Sequence, residues 1–171
     1  MGKRSNFERN PRDYYPTPEA AVIPLIRHLD KGSTFCEPCA GNGVLINHLE
    51  KFGLKCENAW DIDPQAKGIE KKDTLKEHDL YSDYYITNPP WDRKILHPLI
   101  EHLTFFNKPT WLLFDADWAH TKQSSEYMPY CKKIVSVGRV KWIPDSKMTG
   151  KDNCAWYLFT GKKTNTEFIG R

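Results

Sequence analysis

The stretch Ser33-Thr34-Phe35-Cys36-Glu37-Pro38-Cys39-Ala40-Gly41-Asn42-Gly43-Val44-Leu45 decides the fold. Its first four residues read as a short buried strand, Gly41 and Gly43 belong to a turn, and Val44, Leu45, His48, Leu49 and Phe52 then recur at helical spacing up to Gly53. A strand, a glycine-rich turn and a helix make the front half of a nucleotide-binding βαβ unit, where glycine lets the backbone approach a ligand closely.

The next strand signal, Glu57-Asn58-Ala59-Trp60, delivers Asp61-Ile62-Asp63-Pro64, with Asp61 eighteen residues after Gly43. An acid at that distance, at the end of the second strand, is placed to accept hydrogen bonds from both hydroxyls of a ribose. Ile62 then lies against the adenine ring of the same ligand, and Asp63 caps a short helix begun by Pro64.

Which nucleotide is meant follows from what the turn lacks. A dinucleotide fingerprint requires a third small residue three positions after the second glycine, where this chain has Ile46. A phosphate loop requires Gly-Lys-Ser or Gly-Lys-Thr, which is also missing. Glu37 repels phosphate and suits a ligand that carries an ammonium and a sulfonium, which points to S-adenosyl-L-methionine.

Further along, Tyr84-Tyr85-Ile86-Thr87 runs into Asn88-Pro89-Pro90-Trp91. Consecutive prolines remove two backbone donors and fix φ at both positions, leaving rigid carbonyl acceptors around an amide side chain and a large aromatic. Two acceptors beside a flat apolar face suit a conjugated NH₂ group, as on a nucleobase or a glutamine side chain. Taken alone, the same four residues are equally a turn that ends a strand, because the residue before proline avoids helix and Asn tolerates turn geometry.

Together these segments resemble the class I amino-directed methyltransferases. Glu37, Pro38, Cys39, Ala40, Gly41 and Gly43 look like the methionine-binding loop, Asp61 and Ile62 like the adenosine contacts, and Asn88, Pro89, Pro90 and Trp91 like the catalytic tetrapeptide. Tyr14-Tyr15-Pro16-Thr17-Pro18 resembles that family's N-terminal cofactor segment, which makes Tyr15 and Thr17 cofactor contacts. His78-Asp79-Leu80 is similar to its acidic turn, which sets Asp79 and Leu80 at the adenine amino group. Asn88 belongs to both the catalytic and the cofactor set.

The last third, with Gly138-Arg-Val-Lys-Trp-Ile143 before Cys154-Ala-Trp-Tyr-Leu-Phe159, is similar to small phage-type DNA N6-adenine methyltransferases. The resemblance implies methyl transfer from S-adenosyl-L-methionine to the N6 amine of adenine in DNA. It leaves RNA adenine or guanine and protein glutamine as alternative acceptors, and a catalytically silent S-adenosylmethionine- or DNA-binding module as the non-enzymatic alternative. With no long recognition segment, relaxed sequence specificity is expected.

Composition agrees with one small domain. At 171 residues and net charge +3, the chain can bury a core, and its overall field attracts nucleic acid only mildly. Local basic clusters count for more: Lys3, Arg4, Arg9 and Arg12 in an N-terminal arm; Arg139, Lys141, Lys147 and Lys151 in the polar stretch; Lys162 and Lys163 near the end. Five cysteines leave an odd thiol under any disulfide scheme, and no export signal or transmembrane span is visible, so a cytoplasmic location in a bacterial or phage-infected cell is expected. Cys36-x-x-Cys39 lacks a second half-site, so no metal is expected.

Strand and helix signals alternate: a helix over Glu19 to Leu29, a helix after Asp92 carrying Ile95, Leu96, Leu99, Ile100 and Leu103, and strands at Trp111–Phe114, Ile134–Val137 and Trp156–Phe159. Residues 65–77 give no clear third strand. The expected architecture is α/β, a single-domain Rossmann-like, doubly wound and mostly parallel sheet of the class I methyltransferase type. Residues 1–13 are expected to be a flexible basic arm, 14–163 the methyltransferase domain and 164–171 a tail. Trp60, Trp111 and Trp156 sit in strand patterns and belong to the core. For Trp118 and Trp142, core packing competes with a place in a nucleic-acid groove.

Overall fold

A computed structural model describes residues 14–145 and 149–171. The basic arm 1–13 and Lys147 lie outside the described residues. Eight strands form one sheet: β1 Thr34–Glu37, β2 Lys55–Asp61, β3 Glu70–Lys71, β4 Tyr84–Thr87, β5 Thr110–Asp115, β6 Cys131–Gly138, β7 Cys154–Phe159 and β8 Glu167–Ile169. Their spatial order is β3-β2-β1-β4-β5-β7-β6-β8, with β7 antiparallel to both neighbours and every other pair parallel. The order reverses between β1 and β4, so their C-terminal ends flank a crevice of the kind in which open α/β sheets bind ligands.

Apolar runs become central strands because both sheet faces are covered. Alternation along β5 shows it directly: Trp111 and Leu113 join Ala21, Val22 and Leu25 of helix α1 (Glu19–Ile26) and Leu45 and Leu49 of helix α2 (Val44–Lys51). Leu112 and Phe114 join Leu96, Ile100 and Leu103 of helix α3 (Arg93–Thr104), with Trp118, Tyr157 and Phe159. Trp60, Trp111, Trp118 and Trp156 are buried; the Trp156 indole donates to the Ala21 carbonyl at 2.7 Å and ties α1 to the sheet. Asp92 caps α3, accepting from Lys94 N at 2.9 Å.

Four expectations change. Helix α1 stops at Ile26, and His28 and Leu29 continue only as turns, bonded to Leu25 and Ile26 carbonyls. No helix follows Pro64, so Asp63 caps none; Gln65 N instead donates to the Gly41 carbonyl at 2.8 Å, and Gly68 turns the chain with φ 88. The third strand exists as Glu70–Lys71, invisible in the sequence because a two-residue exposed edge strand carries no apolar alternation.

Residues 164–171 are not a tail. Strand β8 pairs in parallel with β6, Glu167 meets Lys133 at 3.3 Å, Thr166 Oγ1 donates to the Cys131 carbonyl, and Ile169 packs on the core. No helix among the described residues is long and apolar enough to cross a membrane, and among those residues no three His, Cys, Asp or Glu side chains cluster as metal ligands.

Candidate active site

Strands β1, β2, β4 and β5 run in parallel, which brings Glu37, Asp61, Asn88 and Asp115 to one edge of the sheet. Residues 38–43 cross that edge, anchored at both sides. Ala40 N donates to the Trp60 carbonyl at 3.0 Å, Gly43 N to the Ala40 carbonyl at 2.7 Å, and Gly41 N to Asp61 Oδ2 at 2.8 Å. Gly41 (φ 52) and Gly43 (φ 75) both hold left-handed backbone. At Gly41 space is as restrictive as conformation, since a Cβ there would lie 2.6 Å from Tyr14 Cε2.

Asp61 organises this corner. Its Oδ1 accepts from Asp63 N at 2.7 Å, so each carboxylate oxygen already fixes one backbone amide and keeps a lone pair for a ligand. Ile62 beside it is 56% exposed, open to a planar ring. Glu37, at the end of β1, is only 2% exposed, and its Oε2 has no hydrogen-bond partner. Burial, and then the nearby Asp61 charge, push its carboxyl well above the ordinary range. Burial and Asp61 likewise raise the Cys39 thiol to about 12, so Cys39 is a small neutral side chain here.

At the end of β4 the Asn88 amide is fixed in one orientation. Its Nδ2 donates to the Thr17 hydroxyl at 3.2 Å and the Tyr15 carbonyl at 3.4 Å, while its Oδ1 accepts from the Trp91 indole at 3.1 Å. The same indole N–H also reaches the Leu113 carbonyl at 3.2 Å. Pro89 is buried and Pro90 half-buried. Thr87, just before them, is buried with its hydroxyl unpartnered. Trp142, from the connection between β6 and β7, stands against Trp91 with ring centroids 5.6 Å apart and planes at 85°. Core packing is the first expectation for Trp142 and a nucleic-acid groove the second; its half-buried ring packs against the core and also stands beside the tetrapeptide.

Asp79 lies elsewhere. It is 3% exposed, and its oxygens accept from Asn58 Nδ2 at 2.5 Å, from Ser82 N at 3.0 Å, from the Ser82 hydroxyl and from Lys108 Nζ at 2.6 Å. Burial opposes its charge, but those hydrogen bonds outweigh it and hold the carboxyl below the usual range. Both oxygens are therefore committed to a buried network, and Leu80 next to it is 73% exposed. The His78-Asp79-Leu80 expectation is corrected accordingly.

The acid that leaves a strand at the site edge is Asp73. Parallel pairing sets Trp60 beside Glu70 and Asp61 beside Lys71, and Lys72 N donates to the Asp61 carbonyl at 2.9 Å. Asp73 is half-buried and accepts from Leu75 N at 3.1 Å, and the next residue, Thr74, receives the Trp60 indole at 3.2 Å and donates to the Pro38 carbonyl. Its signal in the sequence is an acid two residues after Ile69-Glu70-Lys71, a segment too polar to read as a strand.

A scan against protein-family models finds no match. The type II methyltransferase M.VspI of Vibrio sp. (strain 343) is 29% identical over 115 residues, which cover 53% of this chain and 28% of that protein. The chain thus spans under a third of the length of the curated relative it matches. PH1948 from Pyrococcus horikoshii, crystallised as a candidate RNA methyltransferase, superposes with a TM-score of 0.56 at 20% identity over 94% of each chain. A type I restriction-modification methyltransferase subunit from Streptococcus thermophilus gives 0.56 at 11% identity over 91% of this chain and 47% of its own. This is a class I methyltransferase fold. Its expected cofactor is S-adenosyl-L-methionine, and the residues present fit that group on one observation: the orphaned, buried Glu37 Oε2 needs a donor, and an ammonium supplies one with compensating charge.

Proposed function

We propose that this chain transfers a methyl group from S-adenosyl-L-methionine to the exocyclic N6 amine of adenine in DNA. The observation that carries the reading is the locked Asn88 amide: with Nδ2 spent on Tyr15 and Thr17, the oxygen and its second lone pair remain for an incoming NH₂. The similarity to a type II methyltransferase, and the basic and aromatic final third, favour DNA over other amine acceptors.

The cofactor supplies a methyl that is already electrophilic on its sulfonium. Glu37 meets the ammonium, Asp61 the ribose hydroxyls, Ile62 the adenine face and Asp73 its amino group, while Pro38, Cys39, Ala40, Gly41 and Gly43 keep backbone close to the methionine end. The acceptor nitrogen is the poor partner, because its lone pair is delocalised into the base. Hydrogen bonds from it to Asn88 Oδ1 and the Pro89 carbonyl favour a pyramidal nitrogen and stabilise the positive charge that develops there. In-line placement supplies much of the rest. The methylated amine is acidic and sheds its proton late, so no general base is needed.

A base taken from a duplex must leave the stack at a cost of a few kcal/mol, so it needs a stacking surface in the protein. Trp91 and Trp142, at right angles, offer one ring a face and the other an edge. The test is incubation with radiolabelled S-adenosyl-L-methionine and separate DNA, RNA and protein acceptors, followed by mass spectrometry of the nucleosides. N6-methyladenine in DNA is expected; label confined to RNA or to peptide glutamine, or to no acceptor at all, overturns the reading.

A further inference from the structure

The cationic residues of the last third look equivalent in sequence, but strand direction sorts them onto opposite edges of the sheet. Gly138 pairs with Cys154, so the connection between β6 and β7, bearing Arg139, Lys141 and Lys151, leaves and returns on the Asn88 edge. Because β7 is antiparallel, Lys162 and Lys163 emerge at the other edge. There Thr160 N donates to the Tyr130 carbonyl at 2.9 Å, and a Cβ on Gly161 would meet the Thr104 carbonyl at 2.8 Å.

Strand β8 then returns parallel to β6, with Val135 opposite Ile169, and delivers Arg171 to the Asn88 edge. The Arg171 side chain lies over Gly138, where φ is 83 and a Cβ would come 2.8 Å from Nη1. Arg139, Lys141, Lys151 and Arg171 are all exposed, and none has an ion-pair partner among the described residues. Asp145 and Asp152 on the same connection limit the surplus charge, which suits contact with one strand's phosphates better than a broad cationic field. Trp142 sits among these cations and against Trp91.

We propose that Arg139, Lys141, Lys151 and Arg171 form a phosphate-binding rim that grips the backbone of the nucleic-acid strand whose base is presented at Trp91 and Trp142, and that Lys162 and Lys163 take no part. The proposal rests on the nucleic-acid reading above. Phosphate neutralisation releases counterions, so each contact steepens the fall of affinity with salt by about 0.9 for duplex DNA.

Fluorescence anisotropy with a labelled duplex, titrated from about 50 to about 200 mM salt, reads that slope. Arg171→Ala should flatten it by about one unit and raise the KM for DNA several-fold. Arg171→Lys should restore most of the slope, and the Lys162→Ala/Lys163→Ala pair should match the parent. Calorimetric affinity for S-adenosyl-L-methionine checks that each variant is folded. A parent-like slope for Arg171→Ala, or equal flattening by the Lys162 and Lys163 changes, overturns the rim while leaving methylation of DNA standing. If the parent binds no duplex and labels only peptide glutamine, the nucleic-acid reading itself falls.

Discussion

The Trp91 indole donates to the side-chain oxygen of Asn88 at 3.1 Å, so the aromatic of the tetrapeptide also aims its amide. Trp91→Phe keeps a stacking face but loses that bond. Losing one neutral hydrogen bond costs about 1 kcal/mol, so methyl transfer should slow roughly fivefold. Asn88→Ala removes the acceptor itself and should cost about 10²- to 10³-fold in kcat. Single-turnover rates separate the two changes; a Trp91→Phe rate equal to the parent's would show that the indole bond does not orient Asn88.

Glu37 carries a stored electrostatic cost. Its carboxyl titrates above the ordinary value in the folded chain, so the native state holds a proton that the unfolded state releases, and stability falls as pH rises from about 4.5 through the raised value. Glu37→Gln should remove that slope, leaving a variant at least as stable as the parent at pH 8 by thermal melting. Its affinity for S-adenosyl-L-methionine should be weaker. In the parent, pairing Glu37 with an ammonium ionises it, so cofactor binding should release a proton, measurable by calorimetry in two buffers of different ionisation enthalpy.

Asp61 serves two backbone amides as well as a ligand, so its replacement should reach beyond the ribose. Asp61→Asn converts one acceptor oxygen into a donor facing either Gly41 N or Asp63 N. We expect cofactor affinity to fall by about 1 to 3 kcal/mol. An unchanged dissociation constant by calorimetry would remove Asp61 from the site.

Asp73 and Asp79 should separate cleanly in experiment. Asp73→Asn should weaken cofactor binding with little change in melting temperature. Lys108→Met, by contrast, strands Asp79 in a buried site where the pair's side chains are 10% and 0% exposed, and should cost about 3 to 5 kcal/mol of stability. Because the Asp79 carboxyl is held below its usual value, its stabilisation is present above about pH 4 and lost as pH falls through that lowered value. The gap between parent and Lys108→Met should therefore narrow in acid, as read by denaturant titration across pH. A gap that is constant with pH would mean that packing of the Lys108 stem, and not the ion pair, carries the loss.

Local chemistry was legible because it is written within a few adjacent residues. Gly41 and Gly43 supply the backbone conformations that the turn needs, and Pro89 and Pro90 stiffen the end of β4 wherever that end lies in space. Apolar runs at Trp111–Phe114 and Trp156–Phe159 similarly announce strands covered on both faces.

What the sequence by itself determined, then, is the βαβ start, the acid at Asp61 and the rigid Asn88 corner, each fixed by backbone preferences that act over a single turn. Only the tertiary structure decided that Asp79 is consumed by Lys108 while Asp73 reaches the site edge, that Trp142 meets Trp91, and that Arg171 joins one edge while Lys162 and Lys163 go to the other. Those outcomes depend on strand order and direction, above all on the single antiparallel β7, and contacts between residues so far apart in the chain have no local signature.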